Sequence, residues 1–176
     1  MSVQFKNARD QFDAKFDSVF VQTNSYQEAR SLTNNKWTFD QLDTYKYALS
    51  NMLGSITYIH GNRMVFQDGK VVSLPDAELF TGVPDRPDHA RGFMWDEGFH
   101  NHLISIWNLD LTEEIISSWF ASTDDNGWIC REQMLGREIR SGAPPSSWPQ
   151  IESNANPPSQ HLILFNLLDR FNDPNY

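Results

Sequence analysis

The chain has 176 residues, a length that fits one domain or part of a larger one. Its 14 basic and 23 acidic side chains give a formal net charge of -9 with no Lys/Arg-rich run, which excludes the electrostatic footprint of a nucleic-acid binder. Cys130 is the single cysteine, which excludes an internal disulfide, and no apolar run of about 18 residues is present to cross a membrane.

In chain order, Phe5, Ala8, Phe12, Phe16, Val19 and Phe20 recur at helical spacing and predict an amphipathic helix over 4–20. Ser25–Glu28 and Thr38–Gln41 both have the capping-box pattern, and the second opens a helix that Gly54 stops after Leu53. Ser55–His60, β-branched and aromatic, reads as a short strand. Met64–Gln67, the Asp68-Gly69 turn and Val71-Val72 read as a hairpin. Residues 73–92 contain Pro75, Pro84, Pro87, Gly82 and Gly92 and are read as a long ordered loop.

Helical signal returns over 97–107, with Leu103, Ile104 and Trp107 as core candidates. Asp110–Glu113 is a third capping pattern, opening a helix that ends near Ser122. Residues 123–157 read as loop, with a short helix near Arg131–Leu135. Pro157-Pro158 then introduces a last helix whose stripe is Leu162, Phe165, Leu168 and Phe171. The predicted class is mainly α, a helical toroid or bundle, with short β-hairpin decoration in the loops.

Aromatics make up 13% of the chain, with six tryptophans. Such rings build cores, and they also stack on the apolar faces of sugars. The densest group is Arg91–His100, where the adjacent carboxylates Asp96 and Glu97 stand among Phe93, Trp95, Phe99 and His100. Apolar walls favour the protonated carboxyl, as a general acid for glycosidic cleavage requires. Simple capping of the helix start by either carboxylate is the competing reading.

Trp128, Arg131 and Glu132 offer a second sugar-binding constellation, against an Arg–Glu ion pair that merely ties a loop down. Asn156, held extended before two prolines, is a third candidate. His100 and His102 are two apart on a helix and point to different sides, so no metal site and no cofactor is expected. Cys130 reads as a structural thiol.

These segments together resemble glycoside hydrolase family 63. The carriers are Arg91-Gly-Phe-Met-Trp-Asp-Glu-Gly-Phe-His100, Gly127-Trp-Ile-Cys-Arg-Glu-Gln-Met-Leu-Gly136 and Ala155-Asn-Pro-Pro158, with support from Ala48–Tyr58, Glu78–Thr81 and Arg86-Pro87. The likeness departs at Ala90, where the family usually has proline, and at Tyr58-Ile-His60-Gly61.

The resemblance implies part of an (α/α)6 toroid and a processing glucosidase that removes the terminal α-1,2-linked glucose of the N-glycan precursor with inversion. It implies Asp96 as general acid, with Phe93, Trp95, Glu97, His100, Trp128, Arg131, Glu132 and Asn156 around an oligosaccharide. It places the enzyme in the endoplasmic reticulum lumen. Residues 1–176 are then an incomplete catalytic domain, inactive alone, whose general base and C-terminal helices lie elsewhere. The alternative is a non-catalytic glycan-binding remnant of the same domain.

Overall fold

The computed structural model describes residues 3–21 and 37–172. The Ser25–Glu28 capping pattern lies outside them. The chain divides into two compact units, Met1–Asn51 and Met52–Tyr176.

In the first unit, helix α1 (Val3–Phe16) runs into a π-helical turn over Asp17–Val21, so the expected single helix changes its winding at its end. The rings of Phe12, Phe16 and Phe20 follow one another at 6.4 Å and 5.1 Å between centroids. Helix α2 (Phe39–Leu53) brings Leu49, which with Phe16 is buried among the described residues of this unit. Lys46 reaches Asp13 and Asp17, each at 3.2 Å, and lies over the Phe16 ring. Partial burial draws its pKa down, but hydrogen bonds to the two carboxylates outweigh that and hold it above the usual lysine value.

The Thr38–Gln41 capping box forms as expected. The Gln41 amide N–H donates to Thr38 Oγ1 at 3.2 Å, and the Thr38 amide N–H donates to Gln41 Oε1 at 2.9 Å. Thr38→Ala removes one half of this exchange and is expected to cost about 1 kcal/mol. A urea titration followed by far-UV circular dichroism checks this; an unchanged midpoint would mean the cap does not hold α2.

In the second unit, a long hairpin replaces the short strands and the first half of the loop expected over 73–92. Strands β1 (Ile56–Gln67) and β2 (Lys70–Gly82) pair antiparallel along nearly their whole length. The turn is as the sequence dictates: Asp68 and Gly69 both have positive φ, the geometry that two-residue hairpin loops require. Pro75, which suggests a loop, falls where the register shifts between Asn62 and Met64. A bulge tolerates a residue without an N–H, so the strand continues past it to Gly82. β3 (Pro149–Gln150) adds to β1 in parallel, giving the order β2-β1-β3.

Helix α3 (Met94–Trp107) begins three residues before the sequence-based start. Helix α4 (Leu109–Ala121) follows after the single residue Asn108, whose side chain accepts from the Leu111 amide. The true cap is therefore Asn108, because its extended backbone ends one helix and opens the next. The Asp110–Glu113 pattern already lies inside the helix.

Thr112, Ile115, Ile116 and Trp119 form the buried stripe of α4. Trp119, Ile115 and Ile104 join Leu79, Ile59, Ile129 and Leu135 in the core between hairpin and helices. Leu103, a core candidate from sequence, is instead exposed, while Ile104 is fully buried.

The short helix expected at Arg131–Leu135 is displaced to α5 (Gly136–Ser141). Residues 131–133 cannot coil, because the Arg131 carbonyl accepts from the Met94 amide and the Gln133 amide donates to the Gly92 carbonyl. α5 presses its start against β1. A Cβ at Gly61 would lie 2.4 Å from Gly136 Cα, and both glycines have positive φ.

Helix α6 (Gln160–Phe171) buries Ile163 and Leu167 beside Ile116. The stripe that marks this helix in the sequence, Leu162, Phe165, Leu168 and Phe171, is exposed. Both faces of α6 are apolar, so spacing alone does not choose between them. Helices thus predominate, with one three-stranded sheet. Among the described residues no helix is long and apolar enough to cross a membrane.

Candidate active site

The site is assembled at the N-terminal turn of α3. Phe93 is its N-cap in extended conformation and makes no side-chain cap, so neither hydroxyl nor carboxylate occupies the usual capping position. Asp96 and Glu97 both lie in the first turn, where the helix dipole favours negative charge, yet their surroundings differ.

Glu97 is fully buried. Its Oε1 accepts from the Gly82 amide at 3.2 Å and Asn101 Nδ2 at 3.0 Å. Its Oε2 accepts from the Thr81 hydroxyl at 2.8 Å and faces His100 Nδ1 at 3.3 Å. Thr81 in turn accepts from the Trp119 indole N–H at 3.1 Å. A buried carboxylate is tolerable only when hydrogen-bonded in this way. Glu97 therefore ties α3 to the end of β2, below the surface that a ligand could reach.

Asp96 is half-buried and has no hydrogen-bond or ion-pair partner among the described residues. Trp95 and Phe99, both exposed, meet edge to face at 5.7 Å beside it. His100, four residues on, shares the face of Asp96 one turn later.

Two loop segments close on this helix start. Residues 131–132 run antiparallel to Phe93, and the buried Arg91 pairs with half-buried Glu132 through Nε and Nη2, both at 2.9 Å. The Arg91 guanidinium also lies 4.6 Å from the centre of the Phe93 ring, which packs against His89. Glu132 thus joins the ion pair that sequence offers as the structural alternative, but with Arg91, not its neighbour Arg131. Arg131 itself is exposed. The second segment arrives through Ser159, whose hydroxyl donates to the Trp95 carbonyl at 2.6 Å. This carries the Ala155–Pro158 run, with half-buried Asn156, toward α3.

The structure therefore brings Phe93, Trp95, Asp96, Glu97, His100 and Glu132 to one place, with Arg131 and Asn156 on the converging segments. Trp128 stands apart. It lines a recess of about 300 Å³ with Arg63, Phe66, Asp124 and Glu152, none of them a candidate from sequence. Its indole N–H is buried without a partner among the described residues, while its amide donates to Asp124 Oδ1 at 2.8 Å.

A cleft of about 600 Å³ between β1 and α5 was missed by sequence reasoning. Tyr58, His60, Arg86, Arg137 and Glu138 line it. Its visible signals were the Arg86-Pro87 match and the Ala48–Tyr58 and Tyr58–Gly61 segments, which the sequence did not connect to one cavity.

No group of three or more potential metal ligands occurs among the described residues. Cys130 is buried, and desolvation raises its pKa, the environment of a structural thiol.

Comparison with known proteins gives a consistent picture. Residues 1–175 match the family described as glycosyl hydrolase family 63 C-terminal domain. The chain is 35% identical to mannosyl-oligosaccharide glucosidase of Arabidopsis thaliana, over 96% of its own length and 20% of that protein's. It is 41% identical to mannosyl-oligosaccharide glucosidase of Saccharomyces cerevisiae, over 69% and 16% respectively. A probable mannosyl-oligosaccharide glucosidase of Schizosaccharomyces pombe is 43% identical over 72% and 19%. The chain thus spans about a fifth of the length of these relatives.

Proposed function

Because the chain belongs to glycoside hydrolase family 63, we propose that it supplies the proton-donating half of a glucosidase active site, with Asp96 as the general acid. The observation that carries this reading is the contrast between two adjacent carboxylates. Glu97 is saturated by protein donors, whereas Asp96 is half-buried, unpartnered among the described residues and follows directly on Trp95, whose exposed ring meets that of Phe99. A carboxyl group so placed is open to a substrate, where it can act as proton donor to an ether oxygen.

In this reading the reaction is hydrolysis of the terminal α-1,2-linked glucose of the N-linked glycan precursor. Asp96 protonates the oxygen leaving the anomeric carbon. A second carboxylate activates water on the opposite face, about 6.5–9.5 Å away, and the configuration inverts. Glu97 does not serve as that base, since its oxygens face Thr81, Gly82 and Asn101 inside the protein. The base comes from another segment of a longer polypeptide, whose remaining helices complete an (α/α)6 toroid in the endoplasmic reticulum lumen. Arg131 and Asn156 contact sugar hydroxyls, Phe93 and Glu132 shape the wall, and Trp128 binds a more distant sugar unit.

Product stereochemistry tests the proposal. The full-length polypeptide bearing this segment is mixed with methyl α-kojibioside, whose cleavage frees a single glucose, and the anomer of that glucose is followed by proton NMR. Initial appearance of the β-anomer is expected. Initial α-anomer, or binding of the disaccharide with no release, would reject the inverting hydrolase in favour of retention or of a glycan-binding domain.

A further inference from the structure

We propose that Glu97 and His100 form a fixed dyad in which the buried carboxylate sets the tautomer of the imidazole, so that His100 Nε2 accepts a hydrogen bond from a substrate hydroxyl next to Asp96. It rests on the reading of Asp96 as the proton donor.

Glu97 can only accept hydrogen bonds when ionised, and the structure fills its positions in order. Oε1 takes two N–H donors, from Gly82 and Asn101, neither of which can reverse its role. Oε2 lies 2.8 Å from the Thr81 hydroxyl, whose one proton is shared between Oε2 and the Gly82 carbonyl at 2.9 Å and whose oxygen accepts from the Trp119 indole N–H. The remaining partner of Oε2 is His100 Nδ1, and a carboxylate oxygen has nothing to donate to it. The proton therefore sits on Nδ1. In the neutral ring, Nε2 is then a bare acceptor.

The surroundings enforce the same geometry. The ring lies against Gly82, where a Cβ would come within 2.8 Å of Nδ1 and 3.4 Å of Glu97 Oε2. A side chain at 82 would thus push the imidazole off the carboxylate. Nε2 has no protein partner among the described residues, and the His100 side chain is 17% exposed. Asp96 and His100 are four residues apart on one helix face, their Cβ atoms about 5–6 Å from each other. A glucose whose glycosidic oxygen meets Asp96 therefore has a hydroxyl within reach of His100. Selection by such an acceptor is sharp, because a sugar lacking that hydroxyl leaves the imidazole unpaired.

Long-range proton–nitrogen NMR on the 176-residue chain at alkaline pH reads the tautomer directly. The wild type is expected to show the proton on Nδ1, and kojibiose is expected to shift Nε2. Glu97→Gln turns an amide NH2 toward Nδ1 and is expected to move the proton to Nε2. His100→Ala is expected to weaken kojibiose binding about tenfold, and His100→Gln to recover most of it. A proton on Nε2 in the wild type overturns the dyad. If kojibiose moves the Trp95 indole signal but leaves Nε2 unchanged, the ligand role fails while the Asp96 reading stands. If kojibiose moves no signal here and is not hydrolysed by the full-length polypeptide, the Asp96 reading fails and takes the ligand role with it, leaving the dyad as a structural clamp. If it moves no signal here but is hydrolysed, His100→Ala is read on the KM of the full-length polypeptide, where an unchanged KM rejects the ligand role. If Glu97→Gln does not fold, the wild-type tautomer and His100→Ala still decide the matter.

Discussion

Asp96→Asn is expected to lower hydrolysis of α-1,2-glucosides by the full-length enzyme about 10²–10⁴-fold, with little change in substrate affinity. The amide keeps the size and much of the polarity of the carboxyl group but has no proton to give to the departing oxygen. Asp96 makes no side-chain hydrogen bond or ion pair among the described residues, so folding should be spared. The signature lies in the leaving group. α-Glucosyl fluoride expels fluoride without needing an oxygen to be protonated, so the variant should retain far more activity on it than on kojibiose. Equal losses on both substrates, or no loss on kojibiose, would remove Asp96 from the general-acid role.

Trp119→Ala is expected to destabilise the Met52–Tyr176 unit by about 3–5 kcal/mol. The ring is fully buried and packs in the cluster with Leu79, Ile104 and Ile115. Its truncation leaves a cavity and also strips Thr81 Oγ1 of its donor. Thr81 holds Glu97, so the damage should spread to the start of α3. Urea unfolding monitored by the amide exchange of α3 and α4 checks the magnitude. A loss below about 1 kcal/mol would show that the cluster refills the space. Trp119→Phe, which keeps most of the volume, should separate packing from the hydrogen bond.

Much of this arrangement is legible in the residues. The Arg91–His100 run announces both carboxylates and their aromatic walls, Asp68-Gly69 announces its turn, and Thr38–Gln41 announces its cap. The functional difference between Asp96 and Glu97 is not legible locally. It depends on Thr81 and Gly82, which arrive from the far end of a strand that Pro75 disguises as loop. The Arg91–Glu132 pair joins residues 41 apart in sequence, and neither position marks the other. Trp128 sits in a run rich in sugar-binding residue types but faces a different recess from Asp96, because its loop is closed by Asp124. α6 presents apolar residues all round, so only its packing on α3 and on Ile116 decides which of them turn inward.

The bulge at Pro75 has a second use. Among the described residues β2 is an outer strand of the sheet, thirteen residues long, and it starts with exposed Val71 and Val72. An uninterrupted ribbon of that length would be a template for another chain to zip onto, the route to insoluble aggregates. Pro75 removes an amide from the ribbon and the register slip twists it, while Lys70, Asp76 and Glu78 add charge along the same border. The residue that hides the strand from a reader of the sequence also hides it from other polypeptides.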